Sequence, residues 1–189
     1  MQWGRLRFRL MLVLLLFVSS ALLAQEGVVD LDGHATNPFT AFAGKVVVLV
    51  FVRRDCPVSG RYAPLIQQIS KRYADRVSFW LVYPDKSETS QAIRKSVADF
   101  GYEIPVVRDP ERSLVKLSRV QITPEVAVFD RSQRLVYDGR IDNWYVDLFH
   151  PRPSPTTHEL EDAIEAVLSG QRVSRNEVRG VGCYISDLE

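Results

Sequence analysis

Seven consecutive apolar residues, Val46-Val47-Val48-Leu49-Val50-Phe51-Val52, follow Gly44 and Lys45, and five of the seven are valine. A strand with one wet face would alternate apolar and polar residues, and this run does not. It is also short for a buried helix. The run therefore reads as a central strand covered on both faces, which requires layers above and below it. Directly after it come Arg53-Arg54-Asp55-Cys56-Pro57. Proline suits the first turn of a helix and aspartate suits the position before it, so a helix is expected from Pro57 with Asp55 as its N-cap. A cysteine thus falls at the junction of a buried strand and a helix N-terminus.

The remaining elements follow from period and punctuation. Val28-Val29-Asp30-Leu31 reads as a short strand ended by Asp32-Gly33. The helix after Pro57 runs to about Ala74, presents Leu65, Ile66 and Ile69 on one face, and is kinked at Pro64. Residues 77–83 form the next buried strand. Ser87 to Phe100 is predicted as a helix stopped by Gly101. Pro105 to Arg108 is a short strand, and Asp109-Pro110-Glu111 begins a helix to about Val120. Residues 125–129 and 134–141 pair as a hairpin around Asp130-Arg131-Ser132-Gln133. A proline-bearing loop over 142–157 precedes a last amphipathic helix with Leu160, Ile164, Val167 and Leu168, stopped by Gly170. Helices between the early strands imply parallel crossovers, and the late hairpin adds antiparallel strands. The fold class is α/β, a mixed central sheet with helices on both faces.

The 189 residues are 46% hydrophobic and 25% charged, as in an ordinary folded protein rather than a disordered or coiled-coil chain. The first 24 residues hold three arginines and no acid, so 21 basic and 23 acidic residues remain beyond them. That balance argues against a nucleic-acid partner bound through a broad basic face. Arg5, Arg7 and Arg9 precede an apolar run from Leu10 to Val18, and Ala21-Leu22-Leu23-Ala24 follows. A basic start, a short apolar core and a small residue at the cut are the parts of a signal peptide. The expected division is 1–24 signal peptide, 25–170 folded domain, and 171–189 C-terminal tail. Cleavage after Ala24 would leave no stable membrane span, and the alternative is an uncleaved anchor. The expected location is periplasmic or secreted, of bacterial type, where two thiols can pair.

Cys56 and Cys183 are the two cysteines. A helix N-terminus favours thiolate over thiol at Cys56, Arg53 and Arg54 reinforce that tendency, and Asp55 opposes it. Its surroundings resemble the thioredoxin-like superfamily, in the secreted redoxin branch related to AhpC/TSA and TlpA/ResA-type proteins. Residues 28–168 carry the resemblance: Asp30-Leu31-Asp32-Gly33, the strand ending at Val52, Cys56-Pro57-Val58-Ser59, Pro64, Ile122-Thr123-Pro124-Glu125 and the terminal hairpin. The resemblance implies a three-layer α/β/α fold and thiol–disulfide exchange through a mixed disulfide on Cys56. It further implies a cis bond at Pro124, with Thr123 flanking the thiol and the loop's backbone presented to an extended partner chain. Pro57, Ser59, Arg54, Thr123 and Pro124 become the active-site support. The partners implied are exported protein thiols or disulfides and a redox donor or acceptor protein.

Two departures stand out. Ser59 occupies the place of the family's second cysteine, and serine cannot release a mixed disulfide by attacking it. Peroxiredoxins carry Thr or Ser three residues before the reactive cysteine and Pro seven before; Arg53 and Leu49 stand there, which leaves a peroxidase as the weaker alternative. Cys183 lies in Arg179-Gly180-Val181-Gly182-Cys183-Tyr184-Ile185, where glycines permit close approach to another surface. It resolves Cys56, staples the tail to the domain, or remains free or pairs between chains. Closing the 127-position loop would stabilise by about 4–5 kcal/mol in the chain-entropy model. A non-catalytic binding or copper-chaperone module is the other functional alternative. His34, His150 and His158 have no metal-ligand spacing, with His158 read as a surface or capping residue, so no metal site is assigned. No Cys-x-x-Cys-His or Gly-rich phosphate loop appears, and no cofactor is expected. Trp144 and Tyr145 read as core cover or as the border of a partner groove.

Overall fold

The computed structural model describes residues 27–41, 44–174 and 178–185. The signal-peptide reading and the Ala24 cleavage position lie outside the described residues. Among the described residues no helix is long and apolar enough to cross a membrane.

The central strand is β1, Val46–Phe51, buried along its whole length. It lies in a five-stranded sheet with β2 (Val77–Tyr83), β3 (Val106–Arg108), β5 (Glu125–Phe129) and β6 (Leu135–Gly139), in the order β3-β2-β1-β5-β6. β1 and β2 are parallel, as are β2 and β3, while β5 runs antiparallel to both β1 and β6. Alternate residues of β1 enter opposite cores. Val46, Val48 and Val50 meet Ile66 and Ile69 of α1 (Pro57–Tyr73), Ile93 of α2 (Ser90–Asp99), and Leu160 and Ile164 of α4 (Glu159–Leu168). Val47, Leu49 and Phe51 meet Leu114 and Val115 of α3 (Ser113–Ser118), together with Val28, Phe39 and Ile185. The absence of alternation in the sequence is thus the signature of burial on both sides. A second, two-stranded sheet joins β4 (Ile122–Thr123) to β7 (Cys183–Tyr184).

Four local expectations are corrected. Residues 28–31 are not a strand; Val29 makes isolated bridges to Ala35 and Arg108. The Asp30 carboxylate accepts from the backbone N–H groups of Asp32 and His34, at 2.8 and 2.9 Å, which turns the chain at once. Asp55 does not cap α1: its carboxylate pairs with Arg53 at 2.9 Å, and Cys56 takes the N-cap position. α2 begins at Ser90 rather than Ser87 because the Thr89 hydroxyl accepts from the Ala92 N–H, while Asp85 holds Ser87 in the preceding turn. α3 is shorter than expected at both ends. Asp109 accepts from the N–H groups of Ser113 and Val115, and the backbone turns left-handed at Arg112 and Arg119. His158 sits at the N-cap of α4, exposed, without a side-chain capping bond.

Candidate functional site

β1 delivers the chain to Arg53, and a turn places Cys56 at the head of α1. The Cys56 residue is 1% exposed. Opposite it runs the loop with a cis Thr123–Pro124 bond. As a thiol, Cys56 Sγ donates to the Thr123 carbonyl at 3.1 Å. Burial pushes the Cys56 pKa up, but several hydrogen bonds to the sulfur outweigh it, and the net effect is a lowered pKa. These bonds come, in order, from the Cys183 thiol, the Ser59 N–H, the Ser59 hydroxyl and the Thr123 side chain. Ser59 is the third residue of α1, so its N–H has no partner inside the helix and is free to stabilise charge on the sulfur, although Cys56 makes no side-chain capping bond.

Cys183 arrives on β7, which pairs antiparallel with β4 so that Cys183 lies opposite Thr123. The Thr123 hydroxyl donates to the Cys183 carbonyl at 3.3 Å, and the Ile185 N–H donates to the Gln121 carbonyl at 2.8 Å. A Cβ on Gly182 would lie 1.9 Å from the Thr123 carbonyl oxygen, so this approach requires glycine. Both cysteines are free thiols in this arrangement. Burial, then the hydrogen bond to Cys56 and the charge of Cys56, push the Cys183 thiol up to about 12. The pair is asymmetric: the surroundings shift the Cys56 pKa down and the Cys183 pKa up.

The predicted support residues divide. Pro57 occupies the first helical position, and Ser59 and Thr123 both contact Cys56. Arg54 points elsewhere: its half-exposed side chain approaches Glu88, with Nε at 3.8 Å from the carboxylate. Arg53 is the arginine that reaches the tail, donating to the Tyr184 carbonyl at 3.3 Å while paired with Asp55. Of the two positions at which peroxiredoxins carry a hydroxyl residue and a proline, Arg53 is ion-paired with Asp55 and Leu49 is buried in β1. Trp144 and Tyr145 stack against Tyr62 of α1, with ring centroids at 5.4 and 6.0 Å, so both cover the core. A copper site would need a histidine beside the sulfurs. Among the described residues the one three-donor cluster is Asp30, Asp32 and His34, which contains neither cysteine. His150 is held by Asp147 on an exposed loop. A surface concavity of about 860 Å³ near Asp130, Leu135 and Arg172 also excludes the cysteines.

Two buried carboxylates were not foreseen. Glu125, fully buried, accepts from the N–H groups of Gln121 (2.9 Å), Ile122 (3.2 Å) and Gly180 (2.8 Å), which ties the cis-proline loop to the tail. Its signal was present as a lone acid in the otherwise apolar strand Glu125-Val126-Ala127-Val128-Phe129. Glu88 accepts from the Arg54 N–H at 3.0 Å and so fixes the turn before Cys56. Burial raises its pKa, with Asp85 adding to the rise and the Arg54 N–H opposing it. No sequence signal set Glu88 apart from other acids at a helix start.

No curated protein matches the chain. Solved structures do. An uncharacterized conserved protein from Geobacillus kaustophilus superposes with a TM-score of 0.73 at 22% identity, covering 84% of this chain and 86% of that chain. A thioredoxin-like protein from Aeropyrum pernix gives 0.56 at 20% identity, covering 88% and 98%. A secreted Mycobacterium tuberculosis disulfide oxidoreductase gives 0.52 at 16% identity, covering 77% and 96%. At these identities the likeness establishes the thioredoxin-like fold. The Redoxin family model matches residues 21–144, a span that includes Cys56 and the Thr123–Pro124 loop and stops short of the tail. With most of the chain matched and the sheet, helix start and cis-proline loop in their expected order, the chain belongs to the Redoxin family.

Proposed function

We propose that the protein is a thiol–disulfide oxidoreductase in which Cys56 is the attacking sulfur and Cys183 the resolving one. The observation that carries this reading is that β7 sets Cys183 opposite Thr123, whose carbonyl accepts from the Cys56 thiol at 3.1 Å, and packs Cys183 against the core cluster that holds Cys56. In the reducing direction the Cys56 thiolate attacks a partner disulfide. A bond forms from Cys56 Sγ to one partner sulfur, and the other leaves as thiolate and takes a proton. Cys183 then loses its proton and attacks Cys56 Sγ, which releases the second partner thiol and leaves a Cys56–Cys183 disulfide. Two electrons have passed to the partner, and a dithiol donor protein restores the pair. The same steps reversed oxidise a partner dithiol. Ser59 holds the Cys56 thiolate and takes no part in exchange. Thr123 and Pro124 line the sulfur pair, and Pro57 sets the helix start.

Stabilising the Cys56 thiolate stabilises the reduced state, which raises the potential of the couple. The leader-like first 24 residues direct us to exported protein thiols and disulfides as the substrates, met outside the cytoplasm by a domain over 25–170 and its 171–189 tail. A turnover assay with insulin disulfides and a dithiol donor tests the reading. Wild type should turn over, Cys56→Ser should not, and Cys183→Ser should stall as a mixed disulfide on Cys56. Absence of both turnover and mixed disulfide in wild type would overturn it.

A further inference from the structure

The strand edge beside the reactive thiol is occupied by the chain's own tail. β7 lies on β4 as an added strand, with Cys183 and Tyr184 paired to Thr123 and Ile122 and the Ile185 N–H donating to the Gln121 carbonyl. Its side chains alternate as in any bound strand. Cys183 packs against the core cluster that contains Cys56, Tyr184 is 53% exposed, and Ile185 is 2% exposed within the core that also holds Val28, Phe39 and Val120. Gly182, just before the cysteine, sits where a Cβ would strike the Thr123 carbonyl. Gly180 sits where a Cβ would come within 2.9 Å of the Pro124 carbonyl oxygen, and its N–H is held by Glu125. With the tail seated, Cys56 is almost fully buried, so an external disulfide reaches it when the tail lifts.

We propose that this edge is a peptide groove that takes, in competition with the tail, an extended partner segment of the pattern glycine–cysteine–any residue–aliphatic. Each position is set by a contact that the tail now makes. Glycine before the cysteine is required by the Thr123 carbonyl. The cysteine meets Cys56, the next residue faces solvent, and the aliphatic residue fills the pocket held by Ile185. The main-chain pairing supplies binding independent of sequence, and the two inward positions supply selection. The tail is then both resolving arm and gate. The proposal rests on the oxidoreductase reading, because a partner in the groove presents its sulfur to Cys56.

The test uses the full chain carrying Cys183→Ser, so that Cys56 is its one thiol. The probe is the peptide Arg-Gly-Val-Gly-Cys-Tyr-Ile, its cysteine joined to thionitrobenzoate. Attack by Cys56 on the peptide sulfur forms the Cys56–peptide disulfide and breaks the bond to thionitrobenzoate, which leaves as a coloured anion. Ellman's reagent, the small symmetrical disulfide of thionitrobenzoate, serves as the reference for intrinsic reactivity. Adding Gly182→Val releases the tail, and Ile185→Ala is a second release variant that introduces no clash. Relative to the small disulfide, release should raise the rate with the matched peptide at least tenfold. The released chain should also prefer the matched peptide at least tenfold over versions with valine for the glycine or aspartate for the isoleucine. Equal rates for the three peptides, or no gain in either release variant, would overturn the groove and leave the oxidoreductase intact. Failure to react even with the small disulfide would overturn the oxidoreductase reading itself and the groove with it.

Discussion

Glu125→Gln is the most searching perturbation of the tail's attachment. The wild-type carboxylate serves three N–H donors: Oε2 takes Gln121 and Ile122, and Oε1 takes Gly180. Glutamine keeps the shape but offers one oxygen and one amide. Keeping the two loop bonds turns the amide toward the Gly180 N–H, where two donors face each other. One hydrogen bond to a charged acceptor is lost, about 1.5–3 kcal/mol, which is about 10- to 150-fold in the docking equilibrium of the tail. Native-state hydrogen exchange reads this directly, because the Gly180 N–H is bonded to Glu125 and the Ile185 N–H to the Gln121 carbonyl. Protection at these two amides should fall at least tenfold further than at amides of β1 and β2, whose pairing is remote from the change. Equal losses in tail and sheet, or no loss at either, would refute the claim that Glu125 holds the tail in place.

The alkylation rate of Cys56 against pH should have its midpoint below the ordinary cysteine value of about 8.5, since a lowered pKa yields thiolate at lower pH; Cys183, pushed up to about 12, should stay unlabelled at neutral pH. Equal labelling of the two at pH 7 would contradict the asymmetry. Ser59→Ala removes a hydroxyl bond to the thiolate while keeping the backbone N–H, so Cys56 alkylation below that midpoint should slow roughly tenfold; stopped-flow alkylation checks it, and an unchanged rate would exclude Ser59 from the thiolate's support. Tyr62→Phe removes the hydroxyl that donates to Asp142 Oδ1 at 2.5 Å, in a buried site where Asp142 Oδ2 already has no partner among the described residues. The loss should cost about 1.5–3 kcal/mol in denaturant unfolding and leave the Cys56 alkylation midpoint in place; unchanged stability would contradict it.

What the sequence made legible follows from how local each signal is. The run 46–52 announced a strand buried on both faces because burial suppresses alternation, and β1 is that strand. Pro57 marked the start of α1 because a missing N–H costs nothing there. Asp55 does not cap the helix for a reason equally local: the guanidinium of Arg53, two residues away, competes for the carboxylate. Asp30 ended a predicted strand by bonding its own neighbours, a local effect that the apolar pattern of 28–31 masked. The pairing of β4 with β7 was illegible as a pairing, since two-residue strands 60 positions apart leave no periodicity. Only Gly180 and Gly182 hinted at it, and the structure shows what they approach. Arg53 and Arg54 are adjacent and chemically alike, so no reading of composition could tell which one faces the tail. The path of the backbone decided that, sending Arg53 to Tyr184 and Arg54 to Glu88.

The central claim, that Cys56 and Cys183 form one working redox couple, is tested most directly by equilibrating the full chain in glutathione buffers of graded potential. Acid quenching and peptide mapping by mass spectrometry then read the disulfide state at each step. The account predicts a single intrachain Cys56–Cys183 disulfide that forms and breaks reversibly, with a potential above about −300 mV as suits a catalytic pair. A potential below about −300 mV would mark a permanent staple. A chain that loads glutathione on Cys56 while Cys183 stays free would contradict the couple outright.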